Sequence, residues 1–277
     1  MKGKDSWWWK IEPIASMVRI NCRQAVRPSS YIAVDEIMVP FRGKSTHKVK
    51  IKGKPIPEGF KIWGQGYDGY VDNWLFHSIK EGSEGIGKGK NLVVDLPVPL
   101  LPADLVPTFQ VPYLLIQALR KRHPERQFLV ILDNLFLNVE TAHALMAINV
   151  AALGTTRKNA KGIPKPLLDA KNAGQSLVWN SMIAIQVGWA LTFVWQDNNA
   201  VLGTTTAFSV DKVEDRVQRL RRRPKSSSTN TNIIRPVFGD QSRKLLFIPR
   251  AIDVYNHGMN SIDTANQLRK LFTCHRS

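Results

Sequence analysis

The sequence predicts an α/β fold, a mixed sheet with helices layered on it, interrupted late in the chain by a mostly β insertion. Three observations predict it. Apolar runs and helical periodicities follow one another as strand–strand–strand–helix–strand–helix–strand, the order of a layered α/β core. The segment QFLVILD (127–133) carries five consecutive apolar residues ending on an acid, as a strand buried on both faces does. Of 277 residues, 43% are hydrophobic and 22% charged, enough apolar material for a substantial core.

Residues 1–30 read as a helical lead-in, with Trp7, Ile11, Ile14 and Met17 at three- and four-residue steps. The run Tyr31–Phe41 reads as a strand with acids embedded at Asp35 and Glu36. A basic turn region, Arg42–Pro57, follows. Phe60–Gly66 and Tyr70–Ile79 form two strands joined by the tight turn Tyr67-Asp68-Gly69. Glu81–Gly89 is a glycine-rich linker, and four prolines make Asp95–Pro107 irregular. Pro112–Arg122 is a helix ending on Arg-Lys-Arg, cations suited to a helix C-terminus. Val139–Val150 is a further helix and Ala151–Thr156 a strand. Asp211–Leu220 reads as a charged helix, Arg221–Asn232 as a low-complexity mobile segment, and Ser261–Phe272 as the final helix. The chain thus divides into a lead-in (1–30), a first core part (31–157), a Trp-rich insertion (158–210), a basic linker (211–248) and a last core helix (249–277).

Charge narrows the partner. Lys and Arg number 39 against 22 Asp and Glu, a net charge of +17 that favours a polyanion. Ribosomal and membrane-surface proteins share such a charge, so it selects no activity. Two cysteines, Cys22 and Cys274, exclude a disulfide scaffold and a Cys-rich zinc site, and six histidines without H-x-x-x-H spacing disfavour a zinc hydrolase. The uncharged stretch Asn172–Gln196 has the length of a membrane span, but its polar interruptions and alternation at Ile183, Ile185 and Val187 suit strands better, and no membrane partner is expected.

Two glycine motifs mislead. Gly64, Gly66 and Gly69 spell G-x-G-x-x-G after a strand, but a dinucleotide fingerprint needs a helix next, and YVDNWLFHS reads as a strand. Gly82–Lys88 nearly spells a phosphate loop, but Gly89 stands where a magnesium-binding Ser or Thr belongs.

The informative acids are Asp35, inside an apolar strand, and Asp133, at the end of one. Buried unpaired acids are costly, so each is either a strand-end cap or ion-pair partner, or an oxygen ligand. Two carboxylates on neighbouring strands could converge on Mg²⁺, which takes carboxylates plus substrate phosphate oxygens.

Four blocks then resemble piggyBac-type transposases. VDEIMVPFRGKS (34–45) with GKPIPEGFKIW (53–63) is similar to the first catalytic block, and LDNLFLNVETAHAL (132–145) to the second. LGTTRKNAKGIPKPL (153–167) resembles the segment that opens the family's insertion, and VYNHGMNSIDTANQL (254–268) the third block. The resemblance implies a ribonuclease-H-like catalytic core and an Asp-Asp-Asp triad falling on Asp35, Asp133 and Asp263. It implies two divalent ions, Mg²⁺ or Mn²⁺, serving strand nicking, hairpin formation and rejoining at a TTAA-type target. It further implies a nuclear location, DNA transposon ends as partner, and a homodimer for the family's intact members, which the short flanks here put in question. Asp263 read alone would be a helix N-terminal acid favoured by the helix dipole.

Arg42, Lys44, Lys48, Lys50, Lys52 and Lys54, with Arg157 and Lys158, are candidate DNA contacts; the alternative is a solvated loop. Arg216–Lys225 is a nuclear address, a DNA contact or a solvated helix end. The insertion's tryptophans are core residues before they are base-stacking platforms. A fourth acid common in the family is here Asn266, which supplies an oxygen but no charge. About thirty residues precede the first block, and the last lies close to Ser277, so apolar surface is expected to be exposed. The leading expectation is a truncated or degenerate transposase catalytic domain; the alternative is a catalytically inactive, transposon-derived DNA-binding or interaction protein.

Overall fold

A computed structural model describes residues 7–78, 105, 107–173, 177–210, 212–227 and 231–271. The expected Glu81–Gly89 linker, the near-phosphate loop within it and nearly all of the proline-rich stretch before Pro107 lie outside these residues. The chain forms two compact units, Met1–Ile131 with Gly258–Ser277, and Leu132–His257.

The first unit is built on a long strand, β1 (Tyr31–Pro40), with little exposed surface on either side. It pairs antiparallel with β3 (Glu58–Tyr67), which pairs antiparallel with both the two-residue β2 (Val49–Lys50) and β4 (Tyr70–Phe76). The order is β2-β3-β1-β5, with β4 also on β3 and β5 (Leu129–Leu132) ending at the next unit's first residue. The β3–β4 hairpin closes through Asp68 and Gly69, both at positive φ, as expected for a two-residue turn matched to strand twist. Helix α2 (Pro107–Arg122) starts five residues earlier than the sequence suggested and carries Pro112 inside it. An internal proline costs a helix about 3 kcal/mol; burial of Val111, Tyr113, Leu114, Leu115 and Ile116 offsets it.

Helix α1 (Glu12–Ala25) turns its polar side inward. Arg19 pairs with Glu12 and lies over the Trp74 ring, and Arg23 donates to Asn73, both of β4. Ile11, just before the helix, and Ile14, Met17, Val18 and Ile20 within it are exposed. Ahead of the helix, Trp7 stacks on Phe60 with ring centroids 4.0 Å apart and Trp8 packs on Phe76.

In the second unit, α3 (Val139–Ala147) is capped by Asn138, whose side-chain oxygen accepts the Thr141 amide at 2.7 Å. Strand β6 (Ala151–Thr155), helix α4 (Lys165–Asn172) and strands β7 (Met182–Val187), β8 (Ala190–Gln196) and β9 (Ala200–Thr205) follow, the strands in the order β6-β9-β8-β7. The uncharged stretch is therefore largely a β7–β8 hairpin, and no described helix is long and apolar enough to cross a membrane.

The expected charged helix at Asp211–Leu220 is a correction. Only Val213–Asp215 makes one 3-10 turn; Arg216–Arg222 is strand β10, paired antiparallel with β11 (Arg243–Pro249). Tertiary pairing overrides the helical reading here, because alternate arginines reach acids on one side of the strand. Arg219 forms a bidentate pair with Asp253 at 2.5 and 2.6 Å, and Arg221 one with Asp197 at 2.9 Å on both arms. Two residues expected in the mobile segment, Arg221 and Arg222, belong to this strand. Short α5 (Arg235–Phe238), then α6 (Arg250–Gly258) and α7 (Ser261–Leu271) complete the chain, α7 returning to the first unit.

Candidate catalytic site and DNA-facing residues

Alternation along β1 separates its two neighbouring acids. Asp35 shares a face with Ala33 and Ile37, and Glu36 points the other way. Glu36 meets Lys61 at 3.2 Å and Lys54 at 3.7 Å, so it is an ion-pair partner of β3 and the basic loop. Asp35 is buried, 8% exposed, and its carboxylate accepts the Glu36 amide at 2.7 Å.

The face carrying Asp35 is the one on which α7 lies. Ile262, fully buried, packs with Ala33 and Ile37 of β1, Ile62 of β3 and Val71 of β4. Gly64 and Gly66, the β3 partners of Asp35 and Ala33, leave room for it. A Cβ on Gly66 would stand 3.0 Å from Ile262 Cδ1 and 2.4 Å from the Tyr70 carbonyl oxygen; one on Gly64 would reach 3.6 Å from Ile262 Cδ1. The nominal dinucleotide motif is thus a bare floor for a helix. At the helix's other end, Arg269 donates to the Met38 carbonyl of β1 at 3.1 Å. Asp263, next to Ile262 in the first turn of α7, is exposed, and Asn266 lies one turn on.

Asp133 belongs to the second unit. It leaves β5 in a turn: its carboxylate accepts the Leu135 amide at 2.9 Å, and its carbonyl accepts those of Phe136 and Leu137. The neighbouring Asn134 accepts from Arg157 Nε at 3.3 Å, so the second block and the Gly-Thr-x-Arg segment meet. Thr155 Oγ1 and the Tyr255 hydroxyl, 3.3 Å apart, tie that segment to α6. Sequence reading quoted Tyr255 but gave it no role. Lys158 is exposed and its charge acts on Lys171, whose pKa is lowered first by burial and then by Lys158.

The basic loop divides in two. Lys48 and Lys50 pair with Glu58 at 2.5 and 3.5 Å, the hydrogen bond from Lys48 holding the Glu58 carboxyl below its ordinary range. Lys54 pairs with Glu36. Arg42, Lys44 and Lys52 are exposed and pair with no acid among the described residues. One buried carboxylate had no signal in the sequence. Asp72, 2% exposed, accepts from Gln65 at 2.9 Å and meets Arg122 at 3.4 Å; burial raises its pKa against the pull of that guanidinium. It stitches β3, β4 and α2 together.

As donors, three aspartates suit a hard divalent cation, which takes oxygen ligands. Among the described residues, neither unit by itself gathers three or more His, Cys, Asp or Glu side chains into a group that could hold a metal.

Residues 4–277 match the family model described as transposase IS4. The chain belongs to that transposase family. Its relatives make it a piggyBac-type member. It is 28% identical over 154 residues to human piggyBac transposable element-derived protein 3, covering 54% of this chain and 23% of that protein. It has the same identity over the same length to the human chimeric ERCC6-PGBD3 protein, covering 13% of it. The chain therefore spans less than a quarter of these relatives' length. Its fold is that of a piggyBac transposase solved by cryo-EM as a synaptic complex with hairpin DNA, with a TM-score of 0.63 and 19% identity, covering 96% of this chain and 46% of that one. The architecture is thus the expected ribonuclease-H-like α/β core with a mostly β insertion.

Proposed function

We propose that this chain is a transposase catalytic domain that cuts and rejoins DNA strands, with Asp35, Asp133 and Asp263 as its catalytic acids. The observation that carries the reading is the docking of α7 on β1, which brings the start of the helix bearing Asp263 onto the strand face bearing Asp35. Family membership supplies the reaction class, and the order of the sequence blocks supplies Asp133.

The three carboxylates would hold Mg²⁺ or Mn²⁺, two ions in the full reading. Such ions polarise a phosphoryl oxygen and lower the pKa of bound water. The protein's own share is positioning: a buried strand fixes Asp35, a turn fixes Asp133, and a helix pinned at both ends fixes Asp263. DNA is the partner, as in the complex of the structural relative. Arg42, Lys44 and Lys52 are the loop cations free to meet phosphates, and Arg157 stands beside Asn134 at the second block. Transposon ends and a TTAA-type target are the proposed substrates, with action on chromosomal DNA placing the protein in the nucleus.

Nicking of supercoiled plasmid by the purified chain in Mn²⁺ tests the reading. Wild type is expected to nick and Asp133→Asn to be inert. A folded wild type that binds DNA yet never nicks it would leave a DNA-binding protein without catalysis.

A further inference from the structure

Strands β10 and β11 form a two-stranded ribbon whose two faces differ. The inner face is occupied: Leu246 packs with Ile234 and Phe238, while Arg219 and Arg221 turn to Asp253 and Asp197. Strand alternation puts the intervening residues on the outer face. There Leu220 lies directly opposite Leu245, Gln218 opposite Phe247 and Arg222 opposite Arg243. Leu220 is 60% exposed and Leu245 and Phe247 are each 56% exposed, although Leu246 and Ile248, next to them in β11, are buried.

The outer face is thus a ladder with an Arg–Arg rung, a Leu–Leu rung and a Gln–Phe rung, each roughly 6.6 Å from the next along the ribbon, the rise of two strand residues. Contiguous large apolar side chains left in water mark an interaction site. The Arg–Arg rung carries a second cost, because like charges directly opposite each other destabilise a sheet. Arg222 and Arg243 are both exposed, and neither pairs with an acid among the described residues. A carboxylate between the two guanidinium groups would relieve that repulsion through charge-assisted hydrogen bonds. The ribbon has no such group of its own: the sequence from Arg216 to Gly239 contains neither Asp nor Glu.

We infer that the outer face of the β10–β11 ribbon docks an extended acidic–apolar segment of a partner protein. Its carboxylate sits on the Arg222–Arg243 rung, and the side chains two and four residues away cover the Leu220–Leu245 pair and Phe247. An extended segment fits because side chains on one face of a strand recur at the spacing of the rungs. Charge selects the occupant. A second copy of this chain would bring its own arginines and a net charge of +17 to the same face. A nucleic acid would satisfy the arginines and leave the apolar rungs in water. The inference is independent of the DNA reading proposed above.

The test titrates a synthetic peptide containing Phe-Thr-Leu-Thr-Glu, flanked by Gly and Ser, into the isotopically labelled full chain and follows the backbone amide signals. Wild type is expected to respond at β10 and β11, and to bind roughly 10-fold or more weakly when Lys replaces the peptide's Glu, as loss of hydrogen bonds to a charged group gives. Arg222→Glu with Arg243→Glu should reverse that preference, and Leu245→Ser should weaken binding by roughly 10-fold through lost apolar burial. The reversal is a gain of binding that a misfolded variant cannot show, and circular dichroism checks Leu245→Ser. Equal affinity for the Glu and Lys peptides, or no response at β10 and β11, overturns the inference. Self-association of wild type that Leu245→Ser abolishes would assign the face to a second copy and overturn it too. So would a short duplex oligonucleotide that moves the same amides and displaces the peptide.

Discussion

Ile262 of α7 sits over Gly66 of β3 so closely that a Cβ on the glycine would stand 3.0 Å from the isoleucine Cδ1. This contact sets the height of the helix that carries Asp263 above the strand that carries Asp35.

The two neighbouring glycines should therefore differ in what they tolerate. At Gly64 the nearest obstacle is the end of the Ile37 side chain, which can turn away, whereas at Gly66 it is the Tyr70 backbone oxygen at 2.4 Å. Gly64→Ala is expected to cost about 1 kcal/mol and Gly66→Ala about 3 kcal/mol, the span seen when cores are overpacked. Urea denaturation measures both. Equal costs would mean that the Tyr70 backbone gives way as readily as the Ile37 side chain.

The loop cations should separate by their partners. Arg42→Ala with Lys44→Ala is expected to weaken DNA binding and to lower the slope of log affinity against log salt by about 1 per residue, as loss of a phosphate contact does. Lys48→Ala, which removes an internal partner of Glu58, should change the slope little. Titrations at several salt concentrations decide, and identical slopes for the two variants would refute the division.

Arg219 holds the Asp253 carboxyl below its ordinary range through its paired hydrogen bonds. Because the folded pKa lies below the unfolded one, the stabilisation is complete above about pH 4, the unfolded carboxyl's range, and is lost as pH falls through the folded value. The Arg219 side chain is half exposed, so solvent screening weakens the pair. Arg219→Met should lower stability modestly at neutral pH and flatten the acid limb of a melting-temperature profile. An unchanged acid limb would show that other carboxylates set it.

Metal should stabilise the folded chain if the three aspartates bind it. At a Mg²⁺ concentration about 100 times the dissociation constant, linkage predicts about 2.7 kcal/mol. The resulting rise in melting temperature should vanish in Asp35→Asn and Asp133→Asn alike. A rise that persists in both variants would place the ion elsewhere.

Much of the fold was legible because the chain's local signals agree with its tertiary context. The apolar run before Asp133, the Asp68-Gly69 turn and the alternation at Ile183–Val187 each became the strand or hairpin expected of them. The reading failed where long-range pairing decided. Arg216–Arg222 has a helix-compatible composition, but Arg219 and Arg221 within it are satisfied by Asp253 and Asp197, acids distant in sequence. Asp72 gave no signal either, since its burial depends on Arg122 fifty residues away.

At the candidate site, the sequence alone determined which residues were worth naming. Aspartates in or beside apolar strands stand out because burying a charge is costly, and their order along the chain matched a known set of blocks. Its summed charge also pointed to a polyanionic partner, since charge is a sum over composition. Only the tertiary structure decided the rest: that Asp35 and Glu36 face opposite ways, that three of the five loop lysines are already paired, and that Gly64 and Gly66 seat a helix instead of a phosphate. It decided too that, on one hairpin of the insertion, Trp195 is core while Trp189 stands exposed. Each of these depends on which side chains meet across the fold, a relation between residues distant in sequence that no local pattern encodes.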